Sequence, residues 1–297
     1  SRAREATHDL FLLPLAAGKP VGSPTPVYTS SDVGQQPAGV TRHGSLYYST
    51  YNRRAETVIA PLSGNQIRVG NETTVSAAGT TSIGLLLGSG PAHFSPDGKR
   101  IVAVTAADSL LIRDLESGGQ RIIDPDLKEW RAVRWSTTDR SGLLVLGTAG
   151  DGRSGVFRVD DTTGKATLAT SLPPDTWTFT PSNDGETIYY GTPRKTRARH
   201  LSSGKDEVLF ESPNGGNYDL RVSRDGGRLA IRGGSYLAVV NLESRRSRVL
   251  FQRSEPDPTA LWAMDWSAND RDLLTIVRPG VGMERMELWT FPLEGGK

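Results

Sequence analysis

A short hairpin recurs along this chain of 297 residues at a nearly fixed interval. That interval limits what the chain can fold into. The clearest copy runs Ala92-His93-Phe94-Ser95-Pro96-Asp97-Gly98-Lys99-Arg100-Ile101-Val102-Ala103-Val104. Two β runs flank a tight turn. Pro96 presets φ for the second position of a type I turn, Asp97 tolerates the bridge region, and Gly98 supplies the positive φ that closes it. The apolar residue just before each turn marks the copies: Val40, Phe94, Trp135, Phe179, Val222 and Trp266. The last five stand 41, 44, 43 and 44 residues apart, and the first gap is 54. A period in the forties built from paired short strands is the signature of a β-propeller, in which each unit is one small antiparallel sheet around a central axis.

The hairpins fall near residues 38–50, 92–104, 132–146, 177–190, 219–232 and 263–277. A third strand follows each: Thr57–Leu62, Leu110–Leu115, Gly155–Asp160, Arg197–Leu201, Tyr236–Leu242 and Glu287–Leu293. A turn with Gly or Ser and a fourth short run come next, as in Gln120–Ile123 and Arg248–Phe251. The blades are therefore expected to be four-stranded. His8 to Lys19 aligns with the C-terminal third strand: Asp9 with Glu287, Phe11 with Trp289, Pro14 with Pro292 and Leu15 with Leu293. Six hairpins and seven third strands predict a single all-β propeller domain over 1–297 with six or seven blades, seven being slightly favoured. Its first and last blades are incomplete, which makes the chain a piece of something longer. Residues 70–90 read as a long inter-blade loop. Within it Ser82–Gly88 is either an apolar plug over the channel mouth or an extended outer strand.

The Ser-Pro-Asp-Gly turn at 95–98, the Asp114-Leu115-x-Ser-Gly-Gly run, and the segments Asp9–Leu15 and Glu287–Gly296 resemble the TolB-like, WD-repeat-like propellers of bacteria. The resemblance spans nearly the whole chain. It implies the fold, and it implies little about function, because such propellers serve as periplasmic binding modules, sensor halves of kinases and winged-helix regulators, and gating domains of peptidases.

Charge is nearly balanced at +2, which gives no bulk field suited to nucleic acid or an anionic membrane. No apolar run approaches the length of a membrane span. No signal peptide is visible, although Ser1 is not a natural start and processing would remove one. The absence of cysteine excludes disulfides and thiolate metal sites, and fits a periplasmic or extracellular protein without proving it.

The search for chemistry finds no concentrated site. The histidines are His8, His43, His93 and His200. They share no blade position and lack zinc-pair spacing, and His93 alone lies in an innermost strand where it can face the channel. Ser95, Ser136, Ser223 and Ser267 precede turns and read as turn caps rather than nucleophiles. The acids Asp97, Asp139, Asp184, Asp225 and Asp270 recur in the turns as turn formers. Asn71-Glu72-Thr73 matches a glycosylation sequon, a pattern common by chance. No cofactor or metal is implied.

Binding candidates are of two kinds. Trp130, Trp177 and Trp262 lie just before or at the start of innermost strands, where they either line a ligand rim or pack between blades. Phe94, Trp135, Phe179 and Trp266 occupy equivalent positions and read as inter-blade core. Lys195, Arg197 and Arg199 alternate along a strand and share one face, which either docks an acidic partner or is a solvated outer strand that resists edge pairing. The expected function is non-catalytic binding of a protein or peptide, within a larger bacterial polypeptide or assembly. The alternatives are an accessory or gating propeller of a hydrolase or sensor kinase, and a structural subunit completed by a neighbour's strand through self-assembly.

Overall fold

The computed structural model describes residues 8–12, 15–16, 19–23, 25–30, 34–40, 46–51, 58–59, 62–63, 66–67, 73–74, 92–104, 109–138, 142–213, 215–254, 259–280 and 287–293. The chain divides into two compact units, Ser1–Thr81 and Ser82–Lys297.

The second unit holds five successive antiparallel blades. Blade 1 comprises Ala92–Phe94, Arg100–Val104, Leu110–Asp114 and Gln120–Ile123. Blade 2 comprises Glu129–Trp135, Gly142–Thr148, Ser154–Asp160 and Ala166–Ser171. Blade 3 comprises Thr178–Pro181, Thr187–Gly191, Lys195–His200 and Asp206–Glu211. Blade 4 comprises Asn217–Val222, Arg228–Gly233, Tyr236–Asn241 and Ser247–Gln252. Blade 5 has three described strands, Ala260–Trp266, Asp272–Arg278 and Glu287–Pro292. Each strand pairs with the next in sequence, as the repeat requires.

The count is five blades among the described residues, which corrects the expected six or seven. The departure lies in the first unit. Gly34–Val40 does pair with Leu46–Tyr51, as the Val40 hairpin predicts. The expected third strand, however, is broken into Val58–Ile59, paired with Thr73–Thr74, and Leu62–Ser63, paired with Gln66–Ile67. Pro61 stands between these two pieces in the sequence, and a proline has no N–H to give to a ladder. His8–Leu12 pairs with Thr25–Ser30, again as two strands. The Ser82–Gly88 segment, His43 and the Asn71–Glu72 part of the sequon lie outside the described residues.

The core sits between blades. Val102, Leu110 and Ile112 of blade 1 meet Val133, Trp135, Leu143 and Val145 of blade 2. Leu144, Leu146 and Val156, on the other face of blade 2, meet Phe179, Ile188 and Tyr190 of blade 3. Two more clusters join blade 3 to blade 4 and blade 4 to blade 5. This explains why second strands such as Leu143–Leu146 are continuously apolar: both faces of the sheet are covered. Full burial contributes about 1.5–3 kcal/mol per large side chain.

Trp135 and Trp266 are core, as expected, and each also latches one blade to the one before. The Trp135 indole N–H donates to the His93 carbonyl at 2.8 Å, and the Trp266 indole to the Arg221 carbonyl at 3.0 Å. Arg100 lies over the Trp135 ring and Arg228 over the Trp266 ring, at 4.6 and 5.4 Å. Phe179 is fully buried in the equivalent place. Phe94 departs from its expected core role and is half exposed.

The turns form a second layer of links. Ser95, Ser182 and Ser223 each donate a hydroxyl hydrogen bond to the aspartate two residues on and accept one from a backbone amide at or near the start of the next strand. Gly98, Gly185 and Gly226 take the positive φ that these turns demand. Successive turns touch: Thr137 donates to the Ser182 carbonyl, Asn183 to the Ser223 and Arg224 carbonyls, and the Asp225 amide to Asp270.

Candidate functional site

The innermost strands carry polar residues at one repeated position, immediately before each mark: His93, Arg134, Thr178, Arg221 and Asp265. Alternation along a strand turns this residue away from the face that carries the mark. Arg134 is the centre of the set. It is only 6% exposed, yet its guanidinium reaches three other blades. One terminal nitrogen lies 2.9 Å from His93 Nε2 of blade 1 and donates to its neighbour's carbonyl on Val133. The other lies 3.1 Å from Asp219 of blade 4, and the guanidinium sits 6.0 Å from the Phe179 ring of blade 3. A guanidinium has no acceptor, so His93 must offer a bare Nε2 and carry its proton on Nδ1. Asp219 is shared: it also takes a hydrogen bond from Arg221 at 2.5 Å and from the Leu220 amide at 3.0 Å. Burial first, and then the neighbouring Arg221, pull Arg134 down to about 9, so it remains charged at neutral pH. This is a buried charge network that joins blades.

The opposite end of the blades from the serine–aspartate turns has a different character. There the innermost strands of blades 2, 4 and 5 begin with a bulge, at Trp130/Ala132, Asn217/Asp219 and Leu261/Ala263. The extra residues are Arg131, Tyr218 and Trp262. A bulge leaves one residue unpaired and re-aims its side chain. Arg131 donates to the Pro174 and Thr176 carbonyls at the entry to blade 3. Tyr218 stacks on Trp177, with ring centres 5.2 Å apart and planes 23° apart. Trp262 lies beside Arg278, 5.9 Å from its guanidinium.

A recess at this rim straddles blades 3 and 4, with a volume of about 460 Å³. Its lining includes Arg194, Tyr218, Ser235 and Arg253. The glycines around it are there for space. A Cβ on Gly216 would come within 2.8 Å of the Tyr218 ring, and one on Gly234 within 3.1 Å. Backbone hydrogen bonds set the loops, from Gly216 N to the Pro193 carbonyl, from Ser212 N to that of Arg194 and from Arg253 N to that of Ser235. A cleft between blades 2 and 3, beside Glu129 and Arg131, holds only about 10 Å³, room for one water at most.

The structure distributes the candidates named from sequence. Trp177 joins the recess region through Tyr218. Trp130 packs against the core between blades 1 and 2, and Trp262 is half-buried beside Arg278. His93 joins the Arg134 network. Lys195, Arg197 and Arg199 do share one face, with Thr196 and Ala198 buried on the other. On that face Lys195 meets Glu211 at 3.2 Å, while Arg197 and Arg199 both grip Asp206 at 2.7 Å. Burial by itself would raise Asp206. The Tyr190 hydroxyl and the two arginines outweigh it and hold the carboxyl below its usual range. Arg134, Asp219, Tyr218 and Arg253 went unmarked in the sequence. The signal that finds Arg134 and Arg221 is a shared position in the repeat rather than a shared residue type. His200 bonds Thr187 at 3.1 Å. Among the described residues no group of three or more His, Cys, Asp or Glu could hold a metal. None of their helices is long and apolar enough to cross a membrane.

No family model matches this chain, and no curated protein matches it by sequence. Solved structures do match by fold. A chain of a nidogen/laminin complex is 12% identical, with a TM-score of 0.57 over 76% of this chain and 88% of that one. A putative TolB from Agrobacterium tumefaciens is 14% identical, with a TM-score of 0.56 over 76% of this chain and 82% of that one. At these identities the likeness establishes the β-propeller fold and no more.

Proposed function

We propose that this chain is a non-catalytic binding module that recognises a protein or peptide at the rim where the innermost strands begin. The observation that carries this reading is the use of the bulges. They lift Tyr218 and Trp262 out of the ladder at one end of the blades, and Tyr218 borders a recess of about 460 Å³, beside Trp177. Aromatic anchors beside a recess on a rigid scaffold suit an extended segment of a partner. The neighbours by fold lend support, since one is named for a complex between two proteins. A periplasmic or extracellular setting follows the TolB likeness. Attachment to a larger polypeptide or assembly belongs to the same reading.

The test is selection of a displayed peptide library on the purified chain, followed by titration of enriched peptides against Tyr218→Ala and Trp177→Ala. Binding that weakens about tenfold or more in these variants, the effect of losing an anchor worth more than 1.4 kcal/mol, supports the rim. Enriched peptides whose affinity ignores both substitutions overturn it.

A further inference from the structure

Several basic side chains of blades 3 and 4 have acidic partners. Lys195 pairs with Glu211, Arg197 and Arg199 with Asp206, Arg221 with Asp219, Arg228 with Asp225, and Arg245 with Glu207. Arg194 has no ion pair or side-chain hydrogen bond to any described residue, and Arg253 makes one hydrogen bond, to the Thr259 carbonyl at 3.1 Å. No carboxylate is found among the described residues that line the recess. The Ser235 and Tyr218 hydroxyls, also at its wall, have no hydrogen-bond partner among the described residues. Four polar groups of donor character therefore open onto one space whose described lining carries no carboxylate. Two arginines without an acidic partner at the wall of one recess mark a place where a partner's charge is wanted.

We infer that the recess takes an acidic segment of a partner protein, with side-chain carboxylates meeting Arg194 and Arg253 and an apolar or aromatic residue laid against Tyr218. This rests on the rim reading above and specifies its ligand. Side chains fit better than a chain terminus. Arg194 comes from the second connection of blade 3 and Arg253 follows the last strand of blade 4, so they are two anchor points. A terminus brings a single carboxylate. Charge complementarity of this kind sets register and speeds encounter, and it weakens with salt.

The experiment is a fluorescence-anisotropy titration with an end-blocked peptide carrying two glutamates around a phenylalanine, and with its glutamine counterpart. The glutamate peptide is expected to bind about tenfold or more tightly than the glutamine one, and to lose affinity as salt rises. Arg194→Ala and Arg253→Ala are each expected to cost about tenfold, while Lys195→Ala, paired outside the recess, leaves affinity unchanged. Arg194→Glu should recover binding to a peptide with one glutamate replaced by lysine, which a folding defect would not do. Equal affinity for the two peptides overturns the inference, as does indifference to both arginines. Displacement by millimolar inorganic phosphate also overturns it, because the recess is then a general anion site. If library peptides bind and depend on Tyr218 but not on the arginines, the acidic ligand fails while the rim stands. If Tyr218 is irrelevant as well, both fail.

Discussion

At the scale of single residues, two of the blade joints, those at Trp135 and Trp266, carry an indole N–H latch. Trp266 fills the space between blades 4 and 5, and its N–H satisfies the Arg221 carbonyl. Phe179 fills the equivalent space between blades 2 and 3 with no donor. Trp266→Phe therefore separates packing from hydrogen bonding, since most of the ring burial survives and the donor is lost. Unfolding in urea should show a loss of about 1–2 kcal/mol, the cost of leaving a buried carbonyl unmet. A variant as stable as the parent would mean that the indole contributes only its volume. The aromatic positions were legible in the sequence because each sits one residue before a turn, and a strand's alternation fixes its face. Phe94 obeys the same spacing and is nonetheless half exposed. Spacing sets the direction of a side chain; whether another blade covers it is settled by residues far away.

Among the elements, the turns were the most legible, because every contact that builds them is local. Ser182, Asp184 and Gly185 form one turn, and Ser223, Asp225 and Gly226 another. The serine hydroxyl first, and then a backbone amide, hold Asp184 and Asp225 below the ordinary carboxylate value of 3.8. A group whose folded value is depressed stabilises the fold above its unfolded value, and that contribution is lost as pH falls through the folded one. Removing the hydroxyls should thus lower stability at neutral pH and also flatten its further loss on acidification. Ser182→Ala with Ser223→Ala is the variant to use. Urea midpoints taken from neutrality down through the carboxylate range should fall less steeply than those of the parent. A parallel fall would show that these carboxylates are not held by their serines. The third strand of the first unit was misread for a related reason: its apolar residues were visible, but Val58–Ile59 and Leu62–Ser63 pair with different strands, and the proline between them in the sequence has no N–H for a shared ladder.

The whole molecule depends on contacts no local pattern reveals. Arg134 and Asp219 are 85 residues apart, in blades separated by a third. In the sequence each is one charged residue in a strand. Only the packing of successive blades brings them together, which is why the recess arginines, Arg194 and Arg253, were equally hard to pair from sequence. The network is asymmetric. Asp219 serves both Arg134 and Arg221, and Arg232 also feels its charge. Removing Arg134 leaves Asp219 still held by Arg221. Removing the Asp219 charge leaves buried arginines facing one another, and an uncompensated buried charge costs about 3–5 kcal/mol. Asp219→Asn should therefore destabilise the chain more than Arg134→Gln, by about 1.5–3 kcal/mol at the scale of one charged hydrogen bond. The pair Arg134→Met with Asp219→Leu should recover part of the loss, since replacing buried partners together with apolar groups is often close to neutral. Guanidinium chloride screens ion pairs, so urea is the denaturant for this comparison. The reverse order, with Arg134→Gln the more damaging, would show that Arg134 is held chiefly by His93 and the Val133 carbonyl. The blades would then be joined at their centre by neighbour contacts alone, with no tie across the array.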